Sequence, residues 1–331
     1  MMMSKLKLVI VGGGAITESV YIPILLNNSD FQLMAVIEQN GERGKYLKEN
    51  FEGLTIYDSL HKVDEAFNAA IVATPNYLHK EVSIALLKKG VHVLVEKPMA
   101  LSSADCEEMR SQANQNGVKL MVGMVRRYYT NMQMVKEIIE AKTFGELVSL
   151  SIKEGYVFNW PVTSDSLINK RKSGGGVLID IGVHVLDLLF YWLGRPNLVN
   201  YYDDSFNQIE AECLISLSWP TGVVSNVQLS RLRELPNTIE LTFEKGVVVV
   251  DVRPSDRVDI SLSNKLLING KVAKPVTDKM KPFKKQLQEF SELVLKGRVA
   301  RTSIRDAEEG ITLIQNCYDR RKNLSEMYQY Y

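Results

Sequence analysis

Residues 9–17 read Val-Ile-Val-Gly-Gly-Gly-Ala-Ile-Thr: a β-branched strand runs into three glycines and then into a helical pattern. Few segments constrain a fold as tightly. Gly12 and Gly14 fall where a backbone must turn sharply and can approach a pyrophosphate, and the helix N-terminus behind them favours an anion. Ala15 and Ile16 open that helix and join the same candidate cofactor surface. The third small position of the turn is Thr17 rather than Gly or Ala, which should loosen the packing of helix on strand. Pro23 inside the helical pattern of 16–27 predicts a kink or a shortened first turn.

The first 125 residues continue this alternation. Runs 6–11, 32–38, 69–73, 92–96 and 120–122 read as strands, and 16–27, 42–50, 77–89 and 103–116 as helices, with Gly90 and Gly117 at helix C-caps. Strands separated by helices mean parallel βαβ units. From about residue 145 the strands become consecutive: 148–154, 211–219, 223–232, 238–243, 247–252 and 257–262. One strongly apolar helix at 177–193 interrupts them, and helices at 283–296 and 303–320 close the chain, the last on a Ser303/Asp306 capping pattern. The fold class is therefore α/β. A Rossmann-like, doubly wound parallel sheet over 1–123 is followed over 124–331 by an α+β domain with a mainly antiparallel sheet. At 331 residues the chain has room for both.

Composition excludes more than it selects. With 40 Lys and Arg against 39 Asp and Glu, the net charge of +1 offers no basic excess of the kind a nucleic-acid partner needs. Cys106, Cys213 and Cys317 lack metal or disulfide spacing, so no metal site is expected, and a reducing, cytoplasmic setting is. No apolar run approaches the ~20 residues of a membrane span, and the N-terminus lacks signal-peptide layout, so no membrane partner is expected.

Three turns at strand ends carry the chemistry. Glu38 closes the second strand where an acidic side chain accepts hydrogen bonds from the adenosine ribose, which prefers NAD over NADP; Arg43 is near enough in sequence to meet a phosphate if Glu38 turns away. Thr74-Pro75-Asn76 follows the third of these strand-like runs, and Asn76 either faces a ligand or caps the next helix. Glu96-Lys97-Pro98 presents an ammonium able to hydrogen-bond a substrate oxygen. His79, just beyond the Thr-Pro-Asn turn, is grouped with Glu96 and Lys97 on the cofactor side. In the apolar helix, Asp180 and His184 are spaced i, i+4, with Asp187 a turn further on, giving a general acid/base beside carboxylates.

The segments Gly12-Gly13-Gly14, Ala73-Thr74-Pro75-Asn76, Glu96-Lys97-Pro98 and Gly174-Gly175-Gly176-Val177-Leu178-Ile179-Asp180-Ile181-Gly182-Val183-His184-Val185-Leu186-Asp187 together resemble the glucose-fructose oxidoreductase and inositol dehydrogenase family, Gfo/Idh/MocA. The resemblance implies a Rossmann domain, a second domain on a large open sheet, and Lys97, Asp180 and His184 as catalytic residues. It implies substrate or cofactor contacts from Arg126 or Arg127, from Arg171, and from Trp160. It also implies a homodimer or homotetramer paired through the open sheet. The activity implied is NAD(P)-dependent hydride transfer to or from a sugar-like or cyclitol-like hydroxyl or keto carbon, with either His184 or Lys97 as proton carrier. A non-catalytic dinucleotide-binding regulator, an NAD-using glycosidase and an imine or tetrapyrrole reductase are the other readings of the same fold.

Overall fold

The computed structural model describes residues 5–159, 169–205, 208–262, 267–271 and 278–326. The chain divides into two units. The first comprises residues up to Met124 together with Met280–Glu308, and the second comprises most of 125–279 with Glu309 onward. The division is thus not a single cut near residue 123, because a C-terminal helix returns to the first unit.

In the first unit, β1 (Leu6–Val11), β2 (Phe31–Ile37), β3 (Ile56–Tyr57), β4 (Ala69–Val72), β5 (His92–Val95) and β6 (Leu120–Val122) form one sheet in the order β3-β2-β1-β4-β5-β6, parallel throughout. Every side chain of β4 is buried, as expected of a strand covered by helices on both faces. The connecting helices are α1 (Ile22–Leu25), α2 (Gly41–Asn50), α3 (His79–Lys88) and α4 (Ser103–Gln115). The first of them is short because Pro23 sits at its start, and a π-helical turn, Thr17–Tyr21, precedes it. Thr17 does not loosen the packing as expected. It is fully buried, and its hydroxyl donates to the Gly12 carbonyl at 2.6 Å, so the larger side chain ties the turn to the helix.

In the second unit, α5 (Thr130–Glu140) precedes β7 (Leu147–Gly155), α6 (Lys170–Ser173) and α7 (Val183–Leu193). The strands β8 (Asn197–Asp203), β9 (Glu212–Ser218), β10 (Val224–Ser230), β11 (Thr238–Phe243), β12 (Gly246–Asp251), β13 (Arg257–Leu262) and β14 (Leu267–Lys271) follow. With β7 and β15 (Lys322–Asn323) they form a sheet in the order β14-β13-β12-β11-β7-β10-β9-β8-β15. It is mainly antiparallel, with β10 parallel to β7 and β15 parallel to β8. Alternation is clean: Cys213, Ile215 and Leu217 of β9 are buried, while Glu212, Leu214, Ser216 and Ser218 are partly exposed on the other face.

The segment Lys170–Leu193 is, by length and composition alone, apolar enough to cross a membrane, contrary to the expectation that no such run exists. Its apolar window is 78% buried inside the protein, and Leu186, Leu188 and Leu189 are core residues. Trp192 ties it to α5 by donating to the Met132 carbonyl at 3.0 Å.

The chain then enters α8 (Lys281–Lys296), which belongs with the first unit: Phe290 stacks on Phe31 at 6.3 Å, and Phe283 meets Tyr21 edge-on. The last helix, α9 (Ile304–Asp319), opens on the expected cap, the Asp306 amide donating to Ser303 Oγ at 3.3 Å.

Candidate active site

Strand order decides which loops of the first unit meet. Because β1 and β4 are adjacent while the chain leaves them toward opposite sides, the crevice beyond their carboxyl ends is the topological switch point of the sheet. The carboxyl ends of neighbouring strands carry Glu38 (β2), Gly12–Gly14 (β1), Thr74-Pro75-Asn76 (β4) and Glu96-Lys97-Pro98 (β5). Gly12 has φ +106°, and a Cβ there would lie 2.4 Å from the Ala73 carbonyl oxygen, so only glycine fits. A Cβ at Gly14 would meet nothing within 4 Å; the open space lies beside the start of the helix, where a pyrophosphate would approach. Ala15 and Ile16 are partly exposed beside it. These residues fit a dinucleotide.

Glu38 is held by two amides, accepting from Gly13 and Asn40 at 2.8 Å each. Each carboxylate oxygen retains a further lone pair, which a ribose hydroxyl could use. Arg43 does not stand clear of the turn: its Nε donates to the Gly13 carbonyl at 2.7 Å, and its guanidinium is ion-paired with Glu18. Asn76 lies inside a short 3₁₀ turn, with Pro75 at the cap position of that turn and Leu78 at that of α3.

Two residues assigned to the cofactor side are bonded to the protein itself. His79 is 1% exposed, with Nδ1 2.7 Å from the Pro98 carbonyl and Nε2 2.9 Å from the Thr74 carbonyl. It staples the Thr-Pro-Asn turn to the Glu-Lys-Pro turn. Burial lowers its pKa, against the pull of the two carbonyls. Glu96 accepts a hydrogen bond from Tyr21 Oη and one from the Lys97 amide at 3.2 Å, while Gln286 of α8 reaches Tyr21 Oη at 3.4 Å. Burial raises the Glu96 pKa, and its carboxylate occupies the space a Gly123 side chain would need, 3.2 Å from a Cβ there. Tyr21 and Gln286 were not legible as site residues; only the packing of α8 brings them in.

In the second unit the glycine run, not the helix face alone, shapes the site. Glu210 accepts from the Gly176 and Leu178 amides at 2.9 Å each and from Tyr318 Oη at 2.9 Å. A Cβ at Gly176 would stand 1.8 Å from the Glu210 carbonyl oxygen, and one at Gly175 2.0 Å from Tyr318 Oη. The run therefore admits no side chains where it passes Glu210. Burial pushes the Glu210 pKa up while its amide and hydroxyl donors pull it down. Beyond it a π-helical turn, Leu178–Gly182, carries Asp180, and α7 carries His184; both are partly exposed in an otherwise buried stretch. Asp180 is ion-paired with Arg231, whose guanidinium lies over the Phe158 ring at 4.6 Å. Arg231 follows β10 and was missed because nothing in its local pattern distinguishes it from a solvated strand-end arginine.

The three arginines expected as contacts differ in their surroundings. Arg127 is 1% exposed, and its Nε and Nη2 donate to Asp187 at 2.8 and 2.7 Å, so neither faces a substrate. Arg126 makes a two-pronged pair with Glu154, both bonds 2.7 Å. Arg171 is exposed on α6. Trp160 lies outside the described residues. Among the described residues no group of three or more His, Cys, Asp or Glu side chains could hold a metal ion.

Residues 6–124 match the oxidoreductase family model with an NAD-binding Rossmann fold, GFO_IDH_MocA, and residues 132–249 match the Gfo/Idh/MocA C-terminal domain. The chain belongs to the Gfo/Idh/MocA family of oxidoreductases. It is 28% identical over 211 residues to D-glucoside 3-dehydrogenase of Escherichia coli (strain K12), covering 62% of this chain but only 59% of that relative. It is 26% identical over 276 residues to scyllo-inositol 2-dehydrogenase (NADP(+)) IolU of Bacillus subtilis (strain 168), covering 82% and 84%. Aldose-aldose oxidoreductase from Caulobacter crescentus, solved with glycerol, shares the fold with a TM-score of 0.84 at 24% identity, over 96% of this chain and 97% of that one.

Proposed function

We propose that the chain is an NAD(P)-dependent oxidoreductase that moves a hydride between nicotinamide and a hydroxyl or keto carbon of a sugar, sugar derivative or cyclitol. The observation that carries this is the gathering of the glycine turn, Glu38 and the Glu96-Lys97-Pro98 turn on one carboxyl edge of the parallel sheet. The named activities of the glucoside and inositol relatives supply the substrate class. NAD is preferred over NADP because Glu38 would repel a 2′-phosphate. When bound, the nicotinamide accepts or returns the hydride.

The chain's own residues supply the rest. Lys97 hydrogen-bonds the substrate oxygen and stabilises its alkoxide character. His184 takes the hydroxyl proton in oxidation and returns it in reduction. Asp180 and Arg231 hold the start of the helix that presents His184. Asn159 and Arg171, both exposed, are further polar groups for a polyhydroxylated ligand. A homodimer or homotetramer paired through the open sheet fits its outer face, where Ser216 donates to Asn226 and Val224 is exposed. Three buried, unpaired cysteines suit a reducing, cytoplasmic setting.

Titration of NADH and NADPH by nucleotide fluorescence tests the cofactor half, and a screen of sugars and inositols with absorbance of the reduced nucleotide tests the chemistry. Absence of binding by either nucleotide overturns the proposal. Binding without turnover on any polyol or its ketone would favour the regulator.

A further inference from the structure

We propose that Glu18 sets the choice between the two nicotinamide dinucleotides by holding Arg43 away from a 2′-phosphate; this deepens the cofactor reading above and rests on it. Arg43 is a cation held against the glycine turn beside Glu38. It is engaged on three sides. Nε donates to the Gly13 carbonyl at 2.7 Å, Nη2 pairs with Glu18 Oε2, and the guanidinium carbon lies 5.0 Å from the centre of the Tyr46 ring. The other Glu18 oxygen accepts from Tyr46 Oη at 3.0 Å, so the carboxylate binds both the cation and the ring beneath it. The two side chains keep 23% and 31% of their surface, which leaves the pair within reach of a ligand.

Charge decides the consequence. Glu38 and Glu18 flank a single Arg43, an arrangement with one negative charge in excess around the Gly13 peptide. A phosphate entering there meets net repulsion and an arginine whose donors are already committed. Replacing Glu18 by Gln removes the excess and leaves Nη2 on a neutral, weaker acceptor that a phosphate can displace, while Glu38 and its bond to the Gly13 amide stay in place. An arginine freed in this way makes a charge-assisted bond to phosphate, among the stronger hydrogen bonds a protein can offer. Glu18 lies on the π-helical turn directly after the glycines, three residues beyond Ala15. Specificity is thus assigned to the first helix as well as to the acidic residue at the end of β2.

The test is fluorescence titration of NADH and NADPH against the wild type, Glu18→Gln, Arg43→Ala and the Glu18→Gln/Arg43→Ala double variant, in low-salt buffer. We expect the ratio of the NADPH to the NADH dissociation constant to fall about tenfold in Glu18→Gln, the size of one good phosphate contact. The gain should vanish in the double variant. Arg43→Ala alone should weaken NADPH by no more than about threefold, since the donors are already committed and only a partly screened charge is lost. An unmoved ratio in Glu18→Gln, a gain that survives loss of Arg43, or a large loss of NADPH affinity in Arg43→Ala each overturns the proposal while leaving NADH binding intact. A wild type that binds neither nucleotide overturns the cofactor reading itself, and this proposal with it.

Discussion

Replacing Asp187 by Ala tests whether the second of the paired arginines is a substrate ligand or a core tie. Asp187 and Arg127 expose 3% and 2% of their side chains and are joined by two parallel bonds of 2.8 and 2.7 Å. The guanidinium also lies 5.0 Å from the centre of the Tyr191 ring. Removing the carboxylate leaves a buried cation without its counter-charge, which costs about 3–5 kcal/mol. At about 2–4 °C per kcal/mol for a domain of this size, the second unit should melt about 6–20 °C lower. Trp192 and Trp219 are both buried in that unit, so their fluorescence in a urea titration reads its unfolding. Arg127→Met combined with Asp187→Leu should recover most of the loss, because an apolar pair of similar volume replaces a buried ion pair at little net cost. A loss below about 1 kcal/mol in Asp187→Ala, or a double variant as unstable as the single one, would refute the argument and return Arg127 to the substrate side.

Other measurements probe the remaining groups. His184→Ala should lower turnover by about 10²-fold or more while NADH affinity stays within a few-fold; full activity removes His184 from the mechanism. Gly176→Ala should yield little folded protein, since its Cβ would stand 1.8 Å from the Glu210 carbonyl oxygen, and a well-folded variant by circular dichroism would contradict that fit. His79 supplies a pH test. Burial holds its pKa below the unfolded value of 6.5, so the unfolded chain takes up the proton first and stability is lost as pH falls below 6.5, by at most about 1.4 kcal/mol per pH unit. The stability advantage of the wild type over His79→Gln should therefore shrink between pH 7.5 and 5.5; an advantage that is constant or grows would show the two carbonyls outweighing burial.

The first unit was readable because buried parallel strands are written as short β-branched runs, and β1, β6 and the glycine turn fall where those runs end. The two-residue β3 and the polar-flanked β8, Asn-Leu-Val-Asn-Tyr-Tyr-Asp, carry too little pattern to be read and exist through their neighbours. The site divides the same way. Lys97, Asp180 and His184 sit in motifs, whereas Glu210, Tyr318, Tyr21 and Arg231 acquire meaning only when distant segments pack. Asp187 misled for a related reason: even helical spacing placed it on one stripe with Asp180 and His184, but it meets Arg127 in the core, while the π-helical turn at Leu178–Gly182 shifts Asp180 off the 3.6-residue count. Neither periodicity nor propensity announces such a turn.

The π-helical turns among the described residues lie at Thr17–Tyr21 and Leu178–Gly182, one in each unit. Both follow a glycine run, and in both a carboxylate from another segment accepts the amide of a glycine in that run: Glu38 from Gly13, and Glu210 from Gly176. The recurrence has a physical logic. Side-chain-free residues let a carboxylate reach backbone amides at the mouth of a helix, where four such donors lack partners, and the favourable end of the helix dipole helps to hold the charge there. Chain pulled toward that anchor must still feed into a helix whose apolar face is fixed by the core. One extra residue per turn absorbs the mismatch and turns the polar side chains it carries, Glu18 in one case and Asp180 in the other, off the even helical stripe. On this argument the π-helical turns are consequences of the carboxylate anchors. Glu210→Gln, which opposes an amide donor to an amide donor at one of the two backbone contacts, should then loosen Asp180 and His184 together. Amide hydrogen exchange over 176–184 would show it, and protection unchanged from the wild type would sever the link between anchor and turn.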